Sequence, residues 1–376
     1  MLRNSKVMSQ KFRLYPSKAT EGKLAEQLEL CRWLYNRLLE ELNAAKKAGQ
    51  KLTQKGTQHL IVELKKQKPE LSDVYSKVLQ MVNYQLWGNI RALASMKKKG
   101  RKIGKLRFKG KWFKTLNYNQ SGFKLVGKKL HLSKVGEINV KLHRPLMGEV
   151  KGVVVKREPS GKWHAIFQCE NVAKPLPKVN KSIGIDVGLK HFLSDSDGRQ
   201  LENPRLYEKT LKRVQMVQRE LSRKKKGSKN RGKQKLKLAK LHEKLVNQRN
   251  DFLHKLSRFY VNNYDAIAVE DLNIIHMVRN RNLAGKIHDA SWGKFLQMLA
   301  YKAENAGRQL VRVNPRGTSQ EYRYGKLDRD YNASLNILER GLSGLGRPFE
   351  PVEVKPLLVG IPASNIIETG SPYTSG

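Results

Sequence analysis

Ser182–Gly188 reads SIGIDVG. Ile183, Ile185 and Val187 alternate with Gly184, Asp186 and Gly188, which is the two-residue period of a β-strand. One face is apolar. The other carries a single carboxylate between two glycines. A second short strand follows at Ala266–Glu270 (AIAVE) and ends on an acid, and a third is predicted at Leu310–Val313. Helical patterns fall between and after them. Tyr207–Phe259 reads as two long basic helices broken near Gly227–Ser228, Ser291–Ala306 as another, and Tyr331–Glu339 as a last one preceded by Asp330. Strands alternating with helices predict an α/β domain.

The rest of the chain has a different grain. Lys6–Tyr15 predicts a strand ended by Pro16, with Ser17 as the N-cap of a helix. On that helix Leu24, Leu28, Cys31, Tyr35, Leu38 and Leu42 share one face. A further helical stretch is predicted at Leu71–Met96. From about Lys105 short β-prone pieces recur at Leu106–Phe108, Gly122–Val126, Lys129–Leu132, Val153–Lys156 and Trp163–Cys169, as in a small antiparallel barrel. Trp112, Phe113, Tyr118 and Phe123 lie among basic residues, where they suit either base stacking or the core of those strands. Lys174–Pro177 reads as a linker, which puts a boundary near residue 180.

The 376 residues hold 75 Lys and Arg against 32 Asp and Glu, a formal charge of +43. Such an excess repels itself unless a polyanion neutralises it, and nucleic acid is the usual one. The charge is clustered. Lys97–Lys114 contains ten basic residues and no acid, and Lys209–Lys240 contains fourteen against Glu220 alone. No apolar run approaches a membrane span, and no signal-peptide core precedes Leu14. A membrane partner is not expected, and an intracellular location is. The two cysteines, Cys31 and Cys169, exclude a disulfide scaffold and a four-cysteine zinc ribbon.

In so basic a chain, acids at strand and helix ends need a reason. Asp186, Glu270 and Asp330 lie on three distant segments. Buried carboxylates are costly unless paired or coordinating a cation. Magnesium takes oxygen ligands from a few carboxylates plus phosphates, and two such ions serve phosphodiester cleavage. Asp330 alone reads equally as a helix cap, and Glu270 as a surface acid beside Asp271. No Walker A loop, HExxH or GxSxG motif competes.

IGIDVGLK (Ile183–Lys190), AVEDLNI (Ala268–Ile274), NPRGTSQ (Asn314–Gln320) and DRDYNASLNI (Asp328–Ile337) resemble the TnpB proteins of bacterial and archaeal insertion sequences. KFRLYPSKAT, CRWLYNRLL and the tail PVEVKPLLV fit the same family. This family is similar to the type V CRISPR nucleases. The resemblance implies an RuvC/RNase H-like domain at 181–340 that includes basic helices 207–259. It also implies a wedge β-barrel (1–16 plus 97–180) with an inserted helical recognition lobe (17–96), and an extended tail (341–376). The implied activity is RNA-guided DNA cleavage, with a guide RNA from the transposon end and a short target-adjacent motif in double-stranded DNA. Asp186, Glu270 and Asp330 become the catalytic, magnesium-holding triad, with two ions. One protein per RNA and a prokaryotic cytoplasm, near the nucleoid, are implied too. Ser76, Lys77 and Gln80 become candidate readers of the flanking motif, since Gln suits adenine and Lys guanine. Arg107, Lys109, Lys212, Arg213, Arg219, Arg223 and Lys224 become contacts to nucleic-acid backbones.

One departure is visible. Family members carry a zinc ribbon with two CxxC pairs between TSQ and DRD, whereas only EYRYGKL (321–327) separates Gln320 from Asp328 here. No protein zinc site is expected, and the family's target-loading module reads as deleted. This keeps a second function open: an RNA-guided DNA-binding protein, a repressor or maintenance factor, with cleavage lost or weakened.

Overall fold

Pro16 ends the first strand, β1 (Lys6–Tyr15), and Ser17 starts the next element, α1 (Lys18–Lys47), by accepting from the Thr20 N–H. In the computed structural model, which describes residues 6–111, 113–171, 173–320, 327–346 and 357–361, the chain divides into two units, Met1–Val172 and Ala173–Gly376.

In the first unit α1 is followed by α2 (Gln54–Gln67), a 3₁₀ turn (Pro69–Asp73) and α3 (Ser76–Lys98). Six strands complete it: β2 (Thr115–Asn119), β3 (Phe123–Val126), β4 (Lys129–Leu132), β5 (Gly136–Lys141), β6 (Glu149–Arg157) and β7 (Trp163–Asn171). They join β1 in one antiparallel sheet of order β2-β6-β7-β1-β5-β4-β3. The helices thus interrupt a sheet between its first and second strands. The long β1–β7 pairing, Met8 opposite Cys169 and Leu14 opposite Trp163, closes the interruption. Phe12 and Leu14 share one buried cluster with Leu24, Leu28, Leu34 and Leu79. Cys31 lies in it, fully buried, and burial pushes its thiol up to about 12, so it is a packing residue.

Two expectations change here. The stretch expected as one helix from Leu71 begins as the 3₁₀ turn, and α3 proper starts at Ser76. Leu106–Phe108 is a loop, because Asn36 on α1 takes up the backbone polar groups of Lys109 that a strand neighbour would need. Of the four interleaved aromatics, Phe113 and Tyr118 are buried and Phe123 packs against the same core, so these three serve the fold. Trp112 lies outside the described residues.

The second unit opens with β8 (Ser182–Asp186), β9 (His191–Asp195) and β10 (Arg199–Glu202), then α4 (Leu206–Arg223) and α5 (Lys229–Asn263). It continues through β11 (Ala266–Glu270), α6 (Ile274–Met277), α7 (Arg281–Ala290), α8 (Trp292–Asn305), β12 (Gln309–Val313), α9 (Arg329–Ser343) and β13 (Leu358–Ile361). The sheet order is β12-β11-β8-β9-β10-β13. β8, β11 and β12 run parallel, β9 is antiparallel to β8 and β10, and β13 is parallel to β10. The tail expected to be extended therefore supplies an edge strand, and α9 reaches Ser343. The linker is also held: Leu176 N–H donates to the Ala306 carbonyl, and the Val179 and Asn180 N–H groups to the Asp265 carboxylate.

The alternation in β8 sorts the two faces. Ile183 and Ile185 join Phe192, Phe252, Leu256 and Phe295 in a buried cluster with α5 and α8. Gly184 faces α9. A Cβ at Gly184 would meet the Ser334 carbonyl at 2.1 Å and Leu338 N at 2.7 Å. Gly341 makes the matching approach from the helix, where a Cβ would meet Ala268 Cβ at 2.5 Å. These two glycines let α9 lie directly on β8 and β11.

Candidate active site and nucleic-acid surfaces

Because side chains two apart on a strand share a face, Asp186 points to the side on which Gly184 receives α9. Glu270, two residues beyond Ala268, points to the same side, and Ala268 packs against Ile337 of α9. Asp330 lies in the first turn of α9. Three segments thus bring carboxylates to one edge of one sheet face. Asp186 registers both others. Burial raises its carboxyl to about 7, with the negative fields of Glu270 and Asp330 adding to that rise and Arg329 opposing it. Glu270 is raised by burial and eased by Thr318 and Arg340.

Each acid is held. Glu270 is buried and accepts from the Thr318 hydroxyl, and Thr318 is itself fixed through its carbonyl by Asn336 Nδ2 at 2.8 Å. Asp330 does not cap its helix. Asp328 does, its Oδ1 accepting from the N–H groups of Asp330 at 3.0 Å and Tyr331 at 3.1 Å, and from Gln200 Nε2 at 2.6 Å. Gly188 lies against the site: a Cβ there would meet the His191 carbonyl at 3.1 Å and Asp330 Oδ2 at 3.8 Å, so the missing side chain keeps that spot open. Thr318, Asp328 and Gln200 escaped the sequence reading as supports of the site. Only the TSQ and DRD motifs hinted at the first two, and Gln200 carried no signal.

The donor set is all oxygen. Ser194 pairs with Asp186 across β8 and β9, so its side chain shares that face, and its buried Oγ has no hydrogen-bond partner among the described residues. Clustered carboxylates beside an orphaned hydroxyl fit divalent cations that bind through oxygen. Among the described residues, no group of three or more His, Cys, Asp or Glu closes on a single metal position.

The candidate nucleic-acid residues fall on α4 in the second unit and on the start of α3 and the loop after it in the first. On α4, Val214 and Val217 are buried, while Lys212, Arg213, Arg219 and Arg223, with Lys224 just after, are exposed. Lys212, Met216, Arg219 and Arg223 recur at helical spacing along one shallow groove of about 370 Å³. In the first unit Ser76 is exposed at the start of α3, where Lys65 donates to it, and Lys77 and Gln80 are half-buried on the next turn. Arg107 and Lys109 lie on the loop clamped by Asn36. EYRYGK (321–326) lies outside the described residues. No described helix is long and apolar enough to cross a membrane.

Comparison with known proteins gives a consistent picture. A family model described as "Probable transposase", of the OrfB/IS605 type, matches residues 153–281. One described as a helix-turn-helix domain matches 8–51, which here is a strand followed by one long helix. A third, described as "Cas12f1-like, TNB domain", matches 292–337. This last match corrects the expectation that a whole module is deleted: residues 292–337, the short 321–327 stretch included, match that domain model. The chain is 32% identical over 361 residues to a "Putative RNA-guided DNA endonuclease" of Streptomyces pristinaespiralis, covering 89% of each. It is 30% identical over 332 residues to the "Putative RNA-guided DNA endonuclease InsQ" of Escherichia coli K12, covering 84% of this chain and 82% of that one. A "TnpB-like protein L770" of Acanthamoeba polyphaga mimivirus is 27% identical over 246 residues, covering 54% of this chain and 46% of that one. In fold, the chain resembles the protein in a cryo-EM structure of a Cas12f1–sgRNA–target DNA complex, with a TM-score of 0.52 and 12% identity over 89% of this chain and 99% of that one.

Proposed function

The chain belongs to the OrfB/IS605 family, that of the TnpB-like proteins, and from that premise we propose that it is an RNA-guided DNA endonuclease of a transposon. A guide RNA from the transposon end would select the target by pairing with one strand of a DNA duplex and displacing the other. A short flanking motif would be read by protein. Cleavage would occur at Asp186, Glu270 and Asp330. The observation that carries this reading is the convergence of the three carboxylates on the α9 face of the sheet, felt electrostatically at Asp186.

Two magnesium ions, when bound, would activate water and stabilise the leaving oxygen. The chain's own residues set the geometry for this. Asp186 on a rigid strand, Glu270 oriented by Thr318, and Asp330 fixed through the Asp328 cap would hold those ions and orient the scissile phosphate. Gly188 would leave room for the nucleic-acid backbone. The exposed basic stripe on α4 would neutralise phosphates along the guide–target duplex without reading its sequence.

The test is guided cleavage. The purified protein with its RNA, reprogrammed to a plasmid carrying randomised flanks and given magnesium, should cut only one flank class, and Asp186→Ala should abolish cutting while leaving guide-dependent binding. Equal cleavage by Asp186→Ala would refute the site. Guide-dependent binding without cleavage by the wild type would replace the nuclease with the binding-protein reading.

A further inference from the structure

The basic loop from Arg101 to Lys111 carries the most exposed aromatic ring among the described residues. Phe108 is 59% exposed, yet its neighbours are fixed. Leu106 packs onto the first unit's core. At Lys109 the Asn36 carboxamide grips the backbone from both sides, accepting from the N–H at 2.6 Å and donating to the carbonyl at 3.0 Å. The Lys109 ammonium then lies 5.1 Å over the Tyr35 ring. A large apolar side chain on an anchored loop has lost its backbone freedom while its ring stays in water. That arrangement adds nothing to stability and suits a binding platform.

Phe108 borders an open groove of about 440 Å³ between this loop and α3. Ala92 and Leu93 give it an apolar wall, and Asn89 gives it a polar one. Asn89 Nδ2 donates to the Tyr35 hydroxyl at 2.9 Å, which leaves its carbonyl oxygen as the acceptor for a base amino group. The rim belongs to the Lys97–Lys114 run, ten basic residues with no acid, so the groove's surroundings match a phosphate chain. An exposed aromatic face beside an open groove with flanking cations is the arrangement that holds single-stranded nucleic acid.

We propose that this groove takes one unpaired base of the displaced DNA strand, stacked on Phe108, with Arg107 and Lys109 on the adjoining phosphates. This rests on the proposed function, in which strand opening leaves the displaced strand as the one whose bases have no pairing partner. The site holds that strand away from its complement.

The test uses the full chain bound to its guide RNA and a short single-stranded DNA unrelated to the guide, with 2-aminopurine as the reporter base. Phe108→Ala should weaken binding about 5- to 100-fold and remove the stacking quench, whereas Phe108→Trp should restore both. An abasic oligonucleotide of the same length should bind wild type as weakly as the intact one binds Phe108→Ala, with no further loss when the two are combined. Equal binding of the intact DNA by wild type and Phe108→Ala would overturn the proposal. So would a Phe108-dependent loss seen with single-stranded RNA and not with DNA. Because this readout needs no cleavage, a wild type that stacks the base and cannot cut would refute the nuclease reading and leave the base site in place.

Discussion

Gly184→Ala tests whether the catalytic geometry depends on how closely α9 lies on β8. The added methyl would sit 2.1 Å from the Ser334 carbonyl, 2.7 Å from Leu338 N and 2.9 Å from Leu338 Cβ. The first two are backbone atoms, so no rotamer change relieves them. Ordinary contact needs roughly 3.5 Å, so α9 must lift by about 1.4 Å. Asp330 is one helical turn from Ser334, and a rigid helix carries it along. Overpacking of this kind costs about 1–3 kcal/mol, and a misplacement near 1 Å costs about 10²-fold in rate. Denaturant midpoints and single-turnover guided cleavage measure the two effects separately. Gly88→Ala on α3 is the control, since nothing lies within 4 Å of its Cβ, and it should gain about 0.5–1 kcal/mol. Gly341→Ala repeats the perturbation from the helix side against Ala268 Cβ, and Ala268→Gly added to it should restore the rate. A Gly184→Ala protein with wild-type midpoint and rate would refute the account of the site as positioned by that contact.

Three further outcomes follow from other contacts. Thr318→Val removes the hydroxyl that orients buried Glu270 and should cut the cleavage rate about 10- to 100-fold with guide RNA binding unchanged in a filter-binding assay. Lys302, buried against the His254 carbonyl and the Ser257 hydroxyl, is lowered by burial to about 7. Between that value and its unfolded value only the unfolded chain holds the proton, so stability rises with pH. From about pH 6.5 to about pH 9.5 the wild type should gain about 3 kcal/mol over Lys302→Met in urea unfolding; parallel pH curves would show an unshifted amine. Replacing Lys212, Arg219 and Arg223 together with Ala should reduce the salt slope of log K for the guide–target duplex by about 2 to 3, and an unchanged slope would remove the α4 groove from the interface.

What could be read in the sequence followed the range of the forces involved. The alternation in Ser182–Gly188 is local, and it placed β8, its apolar face and the outward Asp186. The periodicity of α1, the break between α4 and α5, and β11 ending on Glu270 are local too. Long-range pairings left little trace. Nothing in Leu358–Ile361 announces that its partner is β10, some 160 residues earlier. Leu106–Phe108 has strand composition, yet it is a loop, and the backbone of the next residue, Lys109, is taken by an asparagine on α1. The aromatics nearest the basic run suited either base stacking or the core, and Phe113, Tyr118 and Phe123 serve the core, while Phe108, inside a supposed strand, is exposed. Asp328 and Asp330 are two residues apart, and only the hydrogen bonds show which one caps the helix. Glycines 184 and 341 say nothing singly, because a close approach is a property of two elements.

The edge strand β13 has a consequence for how the protein is made. A ribosome releases the first unit's last strand at Asn171, so that unit and its basic surface can assemble while the rest is still being translated. The second unit cannot do the same. Asp186 emerges early, its partner acids follow on two later segments, and β13 comes after all of them. A nascent chain therefore displays the first unit's basic surface well before the three acidic segments of the second unit are all made. Capture of nucleic acid during synthesis would then precede assembly of the proposed site, and a truncated translation product would hold nucleic acid without the means to cleave it.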